Sequence, residues 1–389
     1  MDTVGIALVG CGGMGRGIAR RVVDLDSRLQ IRALHDPDPR SVQAARDEFG
    51  EGLPSYSDVG ELLARPDIDW VMIASWNCCH CEQTVAAFEA GKHVFCQKPL
   101  ALSVDECVRM LRAWKSSGKM FNIGFTLRYS PHYRRVRRLI ADGEIGEIVS
   151  MEFNETLDFN HGGYIMGDWR RLRQNAGTHL LEKCCHDIDL TNWMMDARAR
   201  KAASFGGLNF FRPENAYHIE RIGRQHDGKT AYSGWGGLVD LNPFTADKDI
   251  VDNQVAILEF DGGKRAAFHT NCNSGIPERR MMILGTEGAI RADVLTGTIE
   301  TKRIGFDTEL QDASTDARGG HGCGDEVLAA ELADSMFKAT PPSVGLREGV
   351  ESAVTCFALD DALDTGAVVD LTAYWNQVDA EGLDNGDAG

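Results

Sequence analysis

The rhythm of apolar and polar positions changes after about residue 125. Before that point, short apolar runs alternate with stretches of helical period. Val4–Val9, Ile31–Leu34, Asp69–Ser75, His93–Gln97 and Met120–Thr126 read as strands. Between the first two, Ile18, Val22 and Leu25 recur at i, i+4 and i+7, which marks one face of a helix. A further helix from about Glu82 closes at Gly91, and Ser103-Val104-Asp105-Glu106 is a capping box opening a helix that stops at Gly118. Such alternation predicts a doubly wound parallel sheet, with ligands beyond the carboxyl ends of its strands.

The remainder reads differently. Ser130-Pro131 opens a short helix whose Arg134, Arg135, Arg137 and Arg138 are expected on a solvated face. Ile148–Phe153, Ala203–Phe211, Val255–Phe260, Arg265–Asn271 and Met281–Leu284 then follow as strands, with Asp261-Gly262-Gly263 as a hairpin turn. Consecutive strands predict a largely antiparallel open sheet in a second α/β domain. Residues 212–252 form a long excursion of little periodicity, the kind of loop that makes a lid or a binding wall. The expected organisation is a Rossmann domain over 1–125, an α/β domain for substrate and oligomerisation over 126–380, and a flexible tail over 381–389.

Composition narrows the partners. The chain carries 43% hydrophobic and 25% charged residues, an ordinary globular balance, and no apolar run long enough for a membrane span. A net charge of −17 disfavours nucleic acid and anionic membranes. Eleven cysteines, several adjacent, together with an N-terminus lacking a secretory pattern, suggest reduced thiols in a cytoplasm.

The chemistry begins after the first strand. Gly10-Cys11-Gly12-Gly13-Met14-Gly15 joins that strand to the first helix, and Asp36 ends the next strand, 21 residues past Gly15. This is a dinucleotide fingerprint in its proper context. Gly10 allows the tight turn, Gly12 lets backbone approach a pyrophosphate, and Gly15 lets helix and strand pack. Gly13 and Met14 complete the turn at the helix start. Asp36 is suited to the ribose hydroxyls and would repel a 2′-phosphate, so NAD is expected over NADP; Arg40 is read as a solvated residue of a helix start. Two later strand ends carry reactive groups: Asn77 and His80 after one, and Lys98-Pro99 after the other. A lysine there is suited to polarising a hydroxyl or carbonyl. A helix pattern from His179 to Asp189 sets Glu182 and His186 one turn apart. Neither Cys78-Cys79-His80-Cys81 nor Cys184-Cys185-His186 has zinc-type spacing, so no metal is expected.

These elements, in this order, resemble the Gfo/Idh/MocA oxidoreductase family over roughly residues 4–370. The resemblance implies an NAD(P)-linked oxidation of sugar or cyclitol hydroxyls, and an open sheet that forms a dimer face in a homodimer or homotetramer. By position, Lys98 matches the lysine of the family's Glu-Lys-Pro, His186 its catalytic histidine, and Glu182 the usual aspartate of that helix. Asn77 and His80 match the loop bordering the nicotinamide, and Trp169-Arg170 a pair near the cofactor. Arg128 matches a substrate-side position. Gln97 replaces the usual glutamate, Trp76 a common proline, and Lys183-Cys184-Cys185 residues that are apolar or glycine elsewhere.

The implied chemistry is removal of a hydride from a ring carbon. His186 acts as base and Lys98 holds the same oxygen, while Glu182 orients one of them or grips a neighbouring hydroxyl. Lys183 either adds a second cation to the substrate pocket, suiting an anionic sugar, or points to solvent. Three activities stay open: a sugar or glycoside dehydrogenase; an NAD-dependent, redox-neutral glycoside hydrolase; and a non-catalytic sensor of NAD and sugar.

Overall fold

A computed structural model describes residues 3–233, 239 and 241–383. In chain order, the first stretch runs β1 (Val4–Val9), α1 (Gly13–Val23), β2 (Leu29–His35), α2 (Pro39–Phe49), α3 (Val59–Leu63), β3 (Trp70–Ile73), α4 (His80–Glu89), β4 (His93–Cys96), α5 (Val104–Ser117), β5 (Phe121–Ile123) and α6 (Thr126–Tyr129). Then come α7 (Pro131–Ala141), β6 (Ile148–Asp158), α8 (Phe159–Gly167), α9 (Arg173–Ala176), α10 (His179–Met195), β7 (Ala199–Gly207), α11 (His218–Ile222), β8 (Asn253–Phe260), β9 (Arg265–Ser274), β10 (Arg280–Gly285), β11 (Gly288–Asp293), β12 (Thr298–Arg303) and β13 (Gln311–Asp312). The chain closes with α12 (Gly324–Lys338), α13 (Leu346–Thr365), β14 (Val369–Asp370) and α14 (Thr372–Asp379).

The first five strands form a parallel sheet in the order β2-β1-β3-β4-β5. Its central strands are apolar on both faces, as a sheet covered by helices on both sides requires. The order reverses between β1 and β3, which is the switch point where such sheets bind ligands. The capping box is present: the Ser103 hydroxyl accepts from the Glu106 amide, and Glu106 accepts from the Leu102 amide.

The other nine strands form a mixed sheet, β13-β12-β11-β10-β6-β9-β8-β7-β14, antiparallel except for the β6–β9 pair. One face is packed against α10. The other exposes Phe205, Val255 and Ile257. The strand expected over Ala203–Phe211 stops at Gly207 for a clear reason. The buried Asp252 carboxylate accepts the amides of Asn209, Phe210 and Phe211 at 2.7–3.0 Å, which takes them out of the ladder.

The compact units differ from a cut at residue 125. The chain up to Ser130 clusters with Cys323–Ala353 and the segment from Tyr374 onward, and Pro131–Gly322 clusters with Val354–Ala373. The reason lies in α12, which packs on α1 and α6. A side chain at Gly324 would collide with the Thr126 carbonyl, and Arg28 stacks on Phe337 at 4.3 Å. The expected flexible tail is anchored at its start: Glu381 pairs with Arg112 at 2.7 Å, Lys115 donates to the Gly382 carbonyl, and Leu383 is buried. Residues 384–389 lie outside the described residues.

The 212–252 excursion, despite its weak periodicity, has a core. Phe210, Phe211, Tyr232 and Phe244 pack ring against ring at 5.0–5.8 Å, alongside Ile165, Met166 and Cys272. Gly163 on α8 sits against the Tyr232 backbone with no room for a Cβ. Among the described residues no helix is long and apolar enough to cross a membrane, and all eleven cysteines are free thiols.

Candidate active site

The nucleotide end of the site is built at the β1–β3 switch point. Gly10 has φ +92°, and a Cβ there would strike the Ala74–Ser75 peptide, so glycine is required. A Cβ at Gly15 would strike the Gly10 carbonyl, while Gly12 and Gly13 have open space in front of them. Gly12 caps α1 with no side chain, and Met14 is more than half exposed. Backbone amides at this helix start therefore face the opening, an arrangement that suits a pyrophosphate. Asp36 lies just past β2 and is tied from both sides: Oδ2 accepts the Cys11 amide and Oδ1 the Asp38 amide, each at 2.8 Å. Its carboxylate is thus locked beside the glycine turn. Arg40 is exposed and pairs with Asp38 at 3.0 Å. An NAD dinucleotide fits this cradle.

His80 is fully buried. Its Nδ1 lies 2.8 Å from the Pro99 carbonyl and its Nε2 3.2 Å from the Ser75 carbonyl. Burial first, and the Lys98 charge after it, push the ring below the ordinary histidine range. The neutral ring has one N–H, and the shorter contact assigns it to Pro99. His80 is therefore a bracket joining the β3 and β4 ends. It fixes the turn that carries the half-buried Lys98. Asn77 is buried at the start of the short turn before α4. The Gln97 side chain packs over Gly124, and Arg128 is half-buried on α6.

In the second unit the chemistry gathers on α10. Thr178 caps it, accepting from the Leu181 amide at 3.1 Å and donating to Asp360 at 2.5 Å. Every residue of α10 except Lys183 and Trp193 is buried. A helix with this many ionisable groups is buried only if its charges are paired.

One set of pairs faces the 164–170 segment. Glu182 accepts from Arg170 Nε at 3.0 Å, and Asp168 accepts from the same guanidinium at 2.8 Å. That guanidinium also lies over the Trp169 ring at 4.3 Å and the Tyr164 ring at 4.8 Å. Through this bond Glu182 helps to position Arg170. Trp169 and Arg170 form one rigid block with it.

A second set faces the sheet. Lys183 Nζ lies 2.7 Å from Glu155 on β6, which also pairs with Arg279 at 3.2 Å. Arg279 reaches Asp187 through two bonds of 2.7 Å. Lys183 is therefore paired across to the sheet and does not point to solvent. Two carboxylates buried side by side require two cations, and Lys183 is one of them. Burial works to raise Glu155, yet Arg279 and Lys183 hold it well below the carboxylate range. Asp187 is pushed up to about 7 by burial and by the Glu155 charge, against the pull of Arg279. Glu155, Cys184 and Asp187 present ligand atoms within 4.8 Å of one another, but the two carboxylates already hold these basic side chains.

His186 is buried on the same helix. Its ring lies 6.0 Å, centroid to centroid, from that of His321, which stands in the segment before α12. The pairing of Glu155, Asp187 and Arg279 has no local mark in the sequence. Their signal is pairing across distant segments, and local periodicity carries none of it.

Comparison with known proteins places this geometry. The family described as "Oxidoreductase family, NAD-binding Rossmann fold" matches residues 4–125, and the "GFO/IDH/MocA C-terminal domain" matches residues 133–291. The chain belongs to the Gfo/Idh/MocA family. Its first unit is an NAD-binding domain, and the protein is an enzyme of an oxidoreductase family. The chain is 28% identical to a 2,7-anhydro-N-acetylneuraminate hydratase of Mediterraneibacter gnavus over 76% of its own length and 68% of that protein's. It is 32% identical to an inositol 2-dehydrogenase of Ralstonia nicotianae over 49% of its length and 54% of that protein's. A levoglucosan dehydrogenase solved with NADH and levoglucosan shares the fold, with a TM-score of 0.77 at 19% identity over 95% of this chain and 100% of that one.

For this Gfo/Idh/MocA chain, Asp36→Ala is expected to weaken NAD binding by about 10- to 100-fold, the worth of hydrogen bonds to a charged group. NADP binding should improve, because a repelling carboxylate is gone. Calorimetric titration with both nucleotides checks this, and an unchanged preference for NAD would place the ribose elsewhere.

Proposed function

We propose that the enzyme oxidises a ring hydroxyl of a sugar, glycoside or cyclitol, with NAD as the hydride acceptor. The observation that carries this reading is His186, an imidazole buried on α10 one turn from Glu182, within the segment that the C-terminal family model matches. An imidazole can take one proton from a hydroxyl near neutral pH. Bound NAD supplies the electrophilic carbon that receives the hydride. The protein's residues do the rest. His186 removes the hydroxyl proton, and the Lys98 ammonium stabilises negative charge as it develops on that oxygen. Asp36 and the glycine turn hold the nucleotide. Trp169 and Arg170, fixed by Glu182 and Asp168, give a rigid aromatic and cationic surface, and Asn77 and Arg128 are proposed at the cofactor and substrate sides.

A second reading is a redox-neutral reaction, in which the hydride returns after elimination and hydration. Its support is the similarity to the 2,7-anhydro-N-acetylneuraminate hydratase over three-quarters of the chain. The deciding experiment incubates the enzyme and NAD with myo-inositol, levoglucosan, 2,7-anhydro-N-acetylneuraminate and aryl glycosides. NADH absorbance and product are recorded together. Stoichiometric NADH supports the dehydrogenase. Turnover at catalytic NAD without net NADH supports the redox-neutral reaction. Binding with no turnover of any kind would leave a sensor.

The exposed sheet face is proposed to pair with a second copy. Phe205 is 71% and Ile257 56% exposed, an apolar stripe rimmed by ion pairs such as Lys201–Glu259. Phe205→Asp with Ile257→Asp is expected to give a monomer by light scattering after size exclusion. An unchanged mass would rule this face out as the contact. Eleven free thiols suit a reducing compartment such as the cytoplasm.

A further inference from the structure

His186 is only 4% exposed, so a proton it takes from a substrate needs a way out. His321 stands beside it, ring centroids 6.0 Å apart with planes at 54°, and is half-buried, so it is open to water where His186 is not. That separation suits proton transfer through one bridging water.

The pairing is held by built structure. His321 lies in Gly319-Gly320-His321-Gly322, where Gly319 and Gly322 adopt φ +92° and +50°. The Gly319 amide donates to the Val294 carbonyl, and the Gly322 amide to Gly319. Arg279 donates to the Gly320 carbonyl at 3.2 Å while gripping Asp187 through two bonds. One buried guanidinium therefore ties the residue after His186 to the residue before His321. It sets the spacing of the two rings.

We propose that His321 is a second proton-transfer residue, exchanging a proton with His186 and passing it to water. The role of His186 in this step rests on the base assignment made above. Oxidation of an alcohol releases one proton. The O–H bond breaks as a nitrogen of His186 gains that proton; the proton then moves to a nitrogen of His321, and from there to solvent. No electrons change hands in these transfers. The charged groups on the elements that carry the pair and on those paired with them include Glu182, Lys183, Asp187 and Asp189 on α10, Arg318 and Asp325 on either side of His321, Asp168 and Arg170 before α10, Glu155 on β6, and Arg279 before β10. Glu182 and Asp168 pair with Arg170, and Glu155 and Asp187 with Arg279 and Lys183.

The test uses the full chain labelled with 13C at histidine Cε1, titrated by NMR as wild type, H321N and H186N. In the wild type the His186 and His321 signals should each show two inflections, because each ring senses the charge on the other. H321N should leave His186 with one. With a substrate from the panel above, H321N should lower turnover about tenfold at low buffer, and added imidazole should restore it. A His186 signal with a single, identical inflection in wild type and H321N would overturn the exchange, whatever the activity of H186N. If instead H186N keeps full turnover while the wild-type rings titrate as a coupled pair, the base assignment fails and the ring-to-ring exchange stands.

Discussion

Arg279→Met is expected to destabilise the protein by about 3–5 kcal/mol, the usual cost of removing one partner from a buried ion pair. Arg279 is 2% exposed and is shared between Glu155 and Asp187. Methionine fills similar space but leaves two buried carboxylates facing the single ammonium of Lys183. The effect should depend on pH, with a sign that can be worked out. Without the guanidinium, both carboxyls rise above the ordinary carboxylate value in the folded state; burial and the Glu155 charge already push Asp187 up to about 7. A carboxyl raised on folding holds a proton that the unfolded chain has released. Its contribution is therefore present below the ordinary carboxylate range and is lost as pH climbs toward the folded value. The variant should lie closest to wild type near about pH 5 and furthest near about pH 8. Urea unfolding at both values checks this. An equal deficit at the two pH values would mean that the carboxylates find other partners. Arg279→Lys should fall between, since it keeps the charge but not the two-pronged grip.

The same cluster shows where sequence reading stops. The Rossmann half was legible because its signals are local: a strand of six residues, a glycine turn, then an acid at the end of the next strand. The Ser103 cap and the Gly118 stop also act within one or two turns. Lys183 was misjudged because its partner, Glu155, lies 28 residues away on a strand that reads only as an alternating pattern. Arg279 and Asp187 are 92 residues apart. His80 was placed at the cofactor by its match to a family loop, yet its ring closes on two carbonyls. One of these, on Pro99, is 19 residues away and becomes adjacent only when β3 and β4 pair. The excursion over 212–252 looked structureless because its order comes from clustered aromatic rings and from the Asp252 carboxylate, neither of which has a period. The glycine turn and its acid were thus readable in advance. The partners of Glu182, Lys183 and His321 depended on tertiary pairing.

His186→Asn is expected to lower turnover by about 10²–10⁴-fold, the range for removal of a positioned general base. Lys98→Met should cost about 10²–10³-fold, as loss of one donor to a developing oxyanion does. The two losses should differ in character. Asparagine at 186 has no group that titrates near neutrality, so the acid limb of the pH–rate profile should disappear with it. Methionine at 98 leaves the base in place, so that limb should persist at a much lower rate. Neither substitution touches Asp36 or the glycine turn, and NAD binding, followed by quenching of tryptophan fluorescence, should stay near wild type in both. A normal NAD affinity with lost turnover separates chemistry from folding. An H186N enzyme that retains its acid limb would move the base to another residue, with His321 next in line because its ring is the neighbouring imidazole. A K98M enzyme with unchanged turnover would mean that the oxygen's developing charge is met by some other donor, and the buried bracket at His80 would then lose its proposed purpose of holding that lysine in place.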